Sequence, residues 1–106
     1  MRQVVVTVTA EKGRTICDPA RVDVGSGDTV QWTCAEGELA VDFGEQTPFT
    51  STQVWRADRG QMTPVAVVNP GAPTGTVFRP AISIDGAVVA KSLGDLIVRK
   101  AAKGDS

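Results

Sequence analysis

Few residue types in this chain can do chemistry. Cys17 and Cys34 are its only thiols, and the 106 residues include no histidine. Without an imidazole, a serine or cysteine nucleophile lacks its usual base. Zinc would have to complete four positions with carboxylates alone. The two cysteines flank the turn signal Gly25-Ser-Gly-Asp28 at similar distances, so a small bulge would set them opposite one another. A disulfide there would contribute about 3 kcal/mol in the chain-entropy picture. Two reduced thiols are the other reading, because Cys34 shares its alternation with Val30 and Trp32 and reads as a core position. A reducing compartment would favour the thiols.

The carboxylates offer a second set. Glu36, Glu38, Asp42 and Glu45 lie close in sequence with no basic residue among them. Such a group could hold a hard cation or a small ligand, but it lacks calcium-loop spacing. Glu38 and Asp42 alternate with apolar residues, which predicts a solvated strand face instead. Asp42, Glu45 and Asp58 are the carboxylates available for glycoside cleavage, and their spacing singles out no pair. Gly25-Ser-Gly27 joins strand patterns rather than opening a helix, so it is no phosphate cradle. No enzyme activity and no cofactor are expected.

Trp55 stands in Gln53-Val-Trp-Arg56, with Arg59 nearby. Exposed tryptophan beside arginine is the composition of interaction hot spots. The competing reading, a second core tryptophan closing one end of the fold, follows from how much area a large aromatic buries. Phe49, after Pro48, raises the same choice. A partner-binding surface on this stretch would use Phe49, Trp55, Arg56 and Arg59.

These positions need a frame, and period-two alternation supplies it. Val4, Val6 and Val8 fall on one face against Val5, Thr7 and Thr9. Val22 and Val24 alternate with Arg21 and Asp23; Val30, Trp32 and Cys34 with Thr29, Gln31 and Thr33; Leu39, Val41 and Phe43 with Glu38, Ala40 and Asp42. Further strand patterns cover 54–55, 65–68, 77–84 and 96–98. Gly25 to Asp28 reads as a hairpin turn, Asn69 to Pro73 as a loop and Asp85-Gly86 as a turn. Pro80 predicts an edge or bulged strand. Residues 87–92 read as a short helix or irregular segment. Seven or eight short strands so punctuated predict a two-sheet β-sandwich.

Size and charge fit one small domain. A chain 42% hydrophobic can close a core without staples. Eleven basic against twelve acidic residues leave a net charge of -1, with no general pull toward phosphate backbones or anionic lipid. Neither nucleic acid nor membrane is an expected partner. The valine-rich start does not read as a signal-peptide core, so a cytoplasmic location is expected. Residues 1–100 read as a single domain and 101–106 as a flexible tail.

Three stretches together resemble the cupredoxins. Asp18 to Trp32 is similar to that family's hairpin of the form Gly-Asp-x-Val-x-Trp, whose tryptophan packs between the sheets. Glu38 to Phe43, followed by Pro48-Phe49, resembles the strand that carries the first copper histidine. Gly75 to Gly86 and then Gly94 to Val98 are similar to the last two strands. The resemblance implies an all-β Greek-key sandwich and, in electron-transfer members, copper held by two His, one Cys and often Met. This chain has Gly37-Glu38-Leu39 where the first His is implied, and no Cys, His or Met between Asp85 and Gly94. The expectation is a copper-free, non-enzymatic module that binds a protein partner or itself, through an edge strand near Pro80 or the loops at the former copper end.

Overall fold

The structure, a computed structural model, describes residues 2–11, 14–18, 21–88 and 95–99. Among them are eleven strands and no helix: β1 Gln3–Glu11, β2 Arg14–Asp18, β3 Arg21–Val24, β4 Thr29–Thr33, β5 Leu39–Asp42, β6 Trp55–Ala57, β7 Ala66–Val67, β8 Val77–Phe78, β9 Ala81–Ile84, β10 Ala87–Val88 and β11 Asp95–Val98. They form sheets of order β2-β1-β4-β7, β10-β9-β5-β6 and β3-β11-β8. One buried cluster draws Val6, Val8 and Val30 from the first sheet, Leu39, Val41 and Ile82 from the second, and Val22, Val24 and Leu96 from the third. The sequence's alternation is the pattern that this core requires. Every second residue of β3, β4 and β5 is buried, and the residues between them are exposed or half-buried.

The run from Val77 to Ile84 was expected as one strand, on an edge or bulged at Pro80. It is two strands, divided at Arg79-Pro80. Proline has no N–H to give a ladder, so the chain changes partners there. Val77 and Phe78 pair with β11, whereas β9 lies between β10 and β5 and is therefore interior. This shared run links the sheets β10-β9-β5-β6 and β3-β11-β8. The strand count exceeds the expected seven or eight because of this division and because of two unforeseen strands, β2 and β10. Ala87–Val88 pair with β9, which replaces the start of the irregular segment expected over 87–92. Residues 89–92 of that segment, with the tail 101–106, lie outside the described residues.

Gly25 to Asp28 makes a turn, but the turn is not a hairpin. β3 pairs in parallel with β11 and β4 in parallel with β1, so the turn carries the chain from one layer to the other. Gly27 takes a positive φ of 82°, a conformation glycine adopts without a Cβ clash. Asp28 ties the corner together. Its carboxylate accepts from Gly25 N at 2.8 Å and from Arg2 N at 2.8 Å, which fixes the turn to the start of β1. By contrast Asp85-Gly86 is a tight hairpin between β9 and β10, with φ 53° and 80° at its two residues, as a primed turn requires.

Candidate functional site

One end of the sandwich is built where residues 34–38 cross between layers to begin β5. Leu39 pairs there with Ala57 on one side and Ile84 on the other, and is fully buried. Glu38 N donates to Asp85 Oδ1 at 2.8 Å, and Asp85 N donates to Glu38 O at 2.8 Å. The crossing loop is thereby held to the β9–β10 turn. Beside it an open cleft of about 530 Å³ separates β6 from the stretch 61–64, with Glu38, Arg56, Asp58 and Met62 on its walls. That stretch follows β4: Thr33 bridges Met62, Thr63 N donates to Trp32 O, and Trp32 N donates to Thr63 Oγ1.

The expected partner-binding residues separate into two pairs. Phe49 and Trp55 are 2% and 3% exposed and offer nothing to a partner. They pack with Trp32 and Phe43 in an aromatic cluster whose ring centroids lie 5.2 to 6.4 Å apart, largely in edge-to-face contact. β6 points Trp55 and Ala57 inward and Arg56 outward, so its alternation buries the tryptophan. Arg56 lines the cleft, and exposed Arg59 donates its Nε–H to Ala35 O at 3.3 Å. Trp55 keeps one unmet demand: its indole N–H is buried and finds no acceptor among the described residues.

Of the two readings of the cysteines, the disulfide does not form, and the register explains why. Val8 of β1 faces Cys17 of β2, and Cys34 follows one position beyond the Thr7–Thr33 pair of β1 and β4. The two cysteines therefore lie on opposite sides of β1, about 9.6 Å apart at two strand spacings, whereas a disulfide needs Cα atoms within about 7 Å. No bond joins the sulfurs, and both residues are buried. The bulged hairpin that would have brought them together does not exist.

The acidic segment is spread along the molecule. Glu36 accepts from Ala10 N at 3.0 Å, Glu38 lines the cleft, and Asp42 accepts from Gly44 N at 2.7 Å beyond the far end of β5. Asp58, at the cleft, is likewise remote from Asp42 and Glu45. No three His, Cys, Asp or Glu residues among those described converge as a metal group would.

A surface that the sequence reading did not single out lies on the outer face of the β2-β1-β4-β7 sheet. Register aligns Val5 with Gln31, Gln3 with Thr29 and Val67, and Thr7 with Thr33, which bridges Met62. Val5, Val65, Val67 and Met62 are four of the five exposed large hydrophobic side chains among the described residues. No charged residue interrupts these rows across β1, β4 and the 62–67 stretch. Alternation already placed Val5 opposite to Val4 and Val6. What it lacked was the pairing that sets Val5 on the same face as Val65 and Val67.

Sequence comparison adds little, since no family model and no curated protein matches the chain. Structural comparison is more informative. A pseudoazurin from Sinorhizobium superposes with a TM-score of 0.50 at 19% identity, covering 97% of this chain and 78% of that one. The fold is cupredoxin-like. Within that fold Trp32 packs between the layers, as the resemblance implied, and Leu39 occupies the start of the strand where the first copper histidine was implied.

Proposed function

We propose that this chain is a non-enzymatic, copper-free cupredoxin-like module that works by docking to protein. The observation that carries the reading is the outer face of β1, β4 and the 62–67 stretch, uncharged up to Asp18 of β2 and holding four of the five exposed large hydrophobics among the described residues. Exposed apolar side chains gathered into one patch mark interaction sites, whereas ones scattered singly do not. This sheet face is a different surface from the edge strand near Pro80 suggested by sequence: β8, just before Pro80, is an edge of its sheet, whereas β9, just after it, is interior.

The donor set does not fit blue copper. Such a centre needs a thiolate and two imidazoles in a fixed arrangement, and the chain has no histidine. Leu39 offers only hydrocarbon, and the two thiols stand on either side of β1. The separation of Glu36 and Glu38 from Asp42 gives the alternative, a metal or small-ligand site in 36–45, no support.

Site-specific photocrosslinking tests the docking reading. A photoreactive residue at position 65 should yield one dominant crosslinked species, identified by mass spectrometry, while the same group at exposed Arg79 should not. Equal yields at both positions would end the reading. Copper titration should raise no thiolate-to-copper absorption band, and such a band would refute the copper-free assignment.

A further inference from the structure

β6 is the last strand in the sheet β10-β9-β5-β6, and the register shows what its outer edge presents. Opposed residues of an antiparallel ladder alternate between pairs that exchange both backbone hydrogen bonds and pairs that exchange none. Asp85 N donates to Glu38 O, so Glu38, and by alternation Ala40 and Asp42, turn their backbone groups toward β9. Leu39 and Val41 then turn theirs toward β6, where they face Ala57 and Trp55. Arg56, opposite Ala40, is left with its N–H and its C=O both directed away from β5. Neither bonds to any other group among the described residues.

That edge has room beside it. Arg56, Ala57 and Asp58 form one wall of the cleft of about 530 Å³, and the 61–64 stretch forms the other. Ligand sites occupy roughly 300–1,000 Å³. At the edge of the β2-β1-β4-β7 sheet the corresponding place is taken, since Thr50 N donates to Val67 O and Phe49 bridges Val68. A donor and an acceptor offered side by side on a strand edge are matched by another extended backbone, which returns one bond to each. Side chains of such a strand alternate: those on one face meet Glu38, Arg56 and Asp58, and those on the other meet Met62 and Pro64.

Charge on the walls sets which side chains the strand carries. One step beyond the Leu39–Ala57 pair, the register sets Glu38 opposite Asp58, and like charges so placed repel. Neither carboxylate has an ion-pair partner among the described residues, and neither does Arg56. A basic side chain beside Glu38 and Asp58 is attracted by both and relieves their repulsion, whereas an acidic one adds to it. We propose that the edge of β6 takes up an extended segment of a partner protein, bonded through Arg56 N–H and C=O and carrying a lysine or arginine beside Glu38 and Asp58. The proposal goes beyond the sheet-face reading and does not rest on it, although the two surfaces meet at Met62.

Selection from a phage-displayed library of random linear peptides on the purified chain tests this. Enriched peptides should carry a basic residue, and the best of them, made synthetically, should shift the Arg56 amide resonance. Arg56→Pro removes the outward N–H without taking a bond from the ladder with β5, and should weaken binding at least about tenfold. Arg56→Ala keeps the backbone and should change binding little, because an exposed charge contributes little. Asp58→Lys should weaken the basic peptides at least about tenfold by setting like charges together. Thermal unfolding of each variant confirms that it folds. If Arg56→Pro does not fold, N-methylation of the peptide at each position in turn serves instead, and one position, the donor to Arg56 C=O, should lose binding. No enrichment overturns the proposal, as do enriched peptides without a basic residue, equal binding by Arg56→Pro, or a methylation scan without a sensitive position. Peptide binding that survives a failure of crosslinking at position 65 would end the sheet-face reading and leave this one standing.

Discussion

Gly37 lies so close to Asp85 that a Cβ at position 37 would stand 2.5 Å from Asp85 Oδ2. The missing side chain leaves room for the carboxylate, whose other oxygen accepts from Glu38 N. Gly37→Ala should therefore displace Asp85, break that bond and lower stability by about 1–2 kcal/mol. Asp85→Gly removes the obstructing carboxylate and suits the positive φ of 53° at that position. In its background Gly37→Ala should cost much less. Urea unfolding of the wild type, both single variants and the double variant forms the cycle; strictly additive effects would show that the close approach is not what Gly37 is there for.

Trp55 presents a different balance. Its ring contributes to the aromatic cluster, but its N–H is buried without an acceptor among the described residues. Trp55→Phe keeps an aromatic ring and removes the unmet donor, so the lost volume and the relieved desolvation oppose each other. Stability should change by less than about 1 kcal/mol, whereas Trp55→Ala should lose about 3–5 kcal/mol. Chemical denaturation distinguishes the cases. A loss of more than about 2 kcal/mol for Trp55→Phe would mean that the indole N–H has a partner after all.

Asp28 should shape the acid limb of the stability curve. Burial pushes its carboxyl upward, but the amides of Arg2 and Gly25 and the charge of Arg2 outweigh this and hold it below its ordinary value. A depressed carboxylate contributes stability above its unfolded value of about 3.9, and that contribution is lost as pH falls through the lower folded value. Asp28→Asn should thus be less stable than wild type at neutral pH and lose its disadvantage in strong acid. Denaturation midpoints followed down the pH scale test the sign. A gap that stays constant into strong acid would remove the titration of Asp28 as its cause.

The legible and illegible parts of the fold differ in range. Alternation in Val4 to Val8, Val22 to Val24 and Thr29 to Cys34 was enough to assign inward faces, because parity along one strand is a local property. Partner choice is not. Nothing near Gly25 to Asp28 distinguishes a hairpin from a turn between layers; the difference lies in β11 and β1, the distant strands that pair with β3 and β4. The same gap separated Val5 from Val65 and set Cys17 opposite Cys34 in expectation. Trp55 was ambiguous for a related reason, since parity says that Val54 and Trp55 diverge without saying which faces the core.

The cysteines provide a direct check on the strand register. With β1 between them they should persist as two thiols, and burial of both should keep reagent away while the fold is intact. An aromatic disulfide reagent added to native protein should therefore react slowly, at a rate that rises with denaturant as opening becomes more frequent. In full denaturant without reductant, two thiols per chain should titrate at once. Rapid reaction of either thiol in native protein would contradict its burial. Failure to find two thiols, with a mass lower by two hydrogens, would place the sulfurs within bonding distance and overturn the order β2-β1-β4.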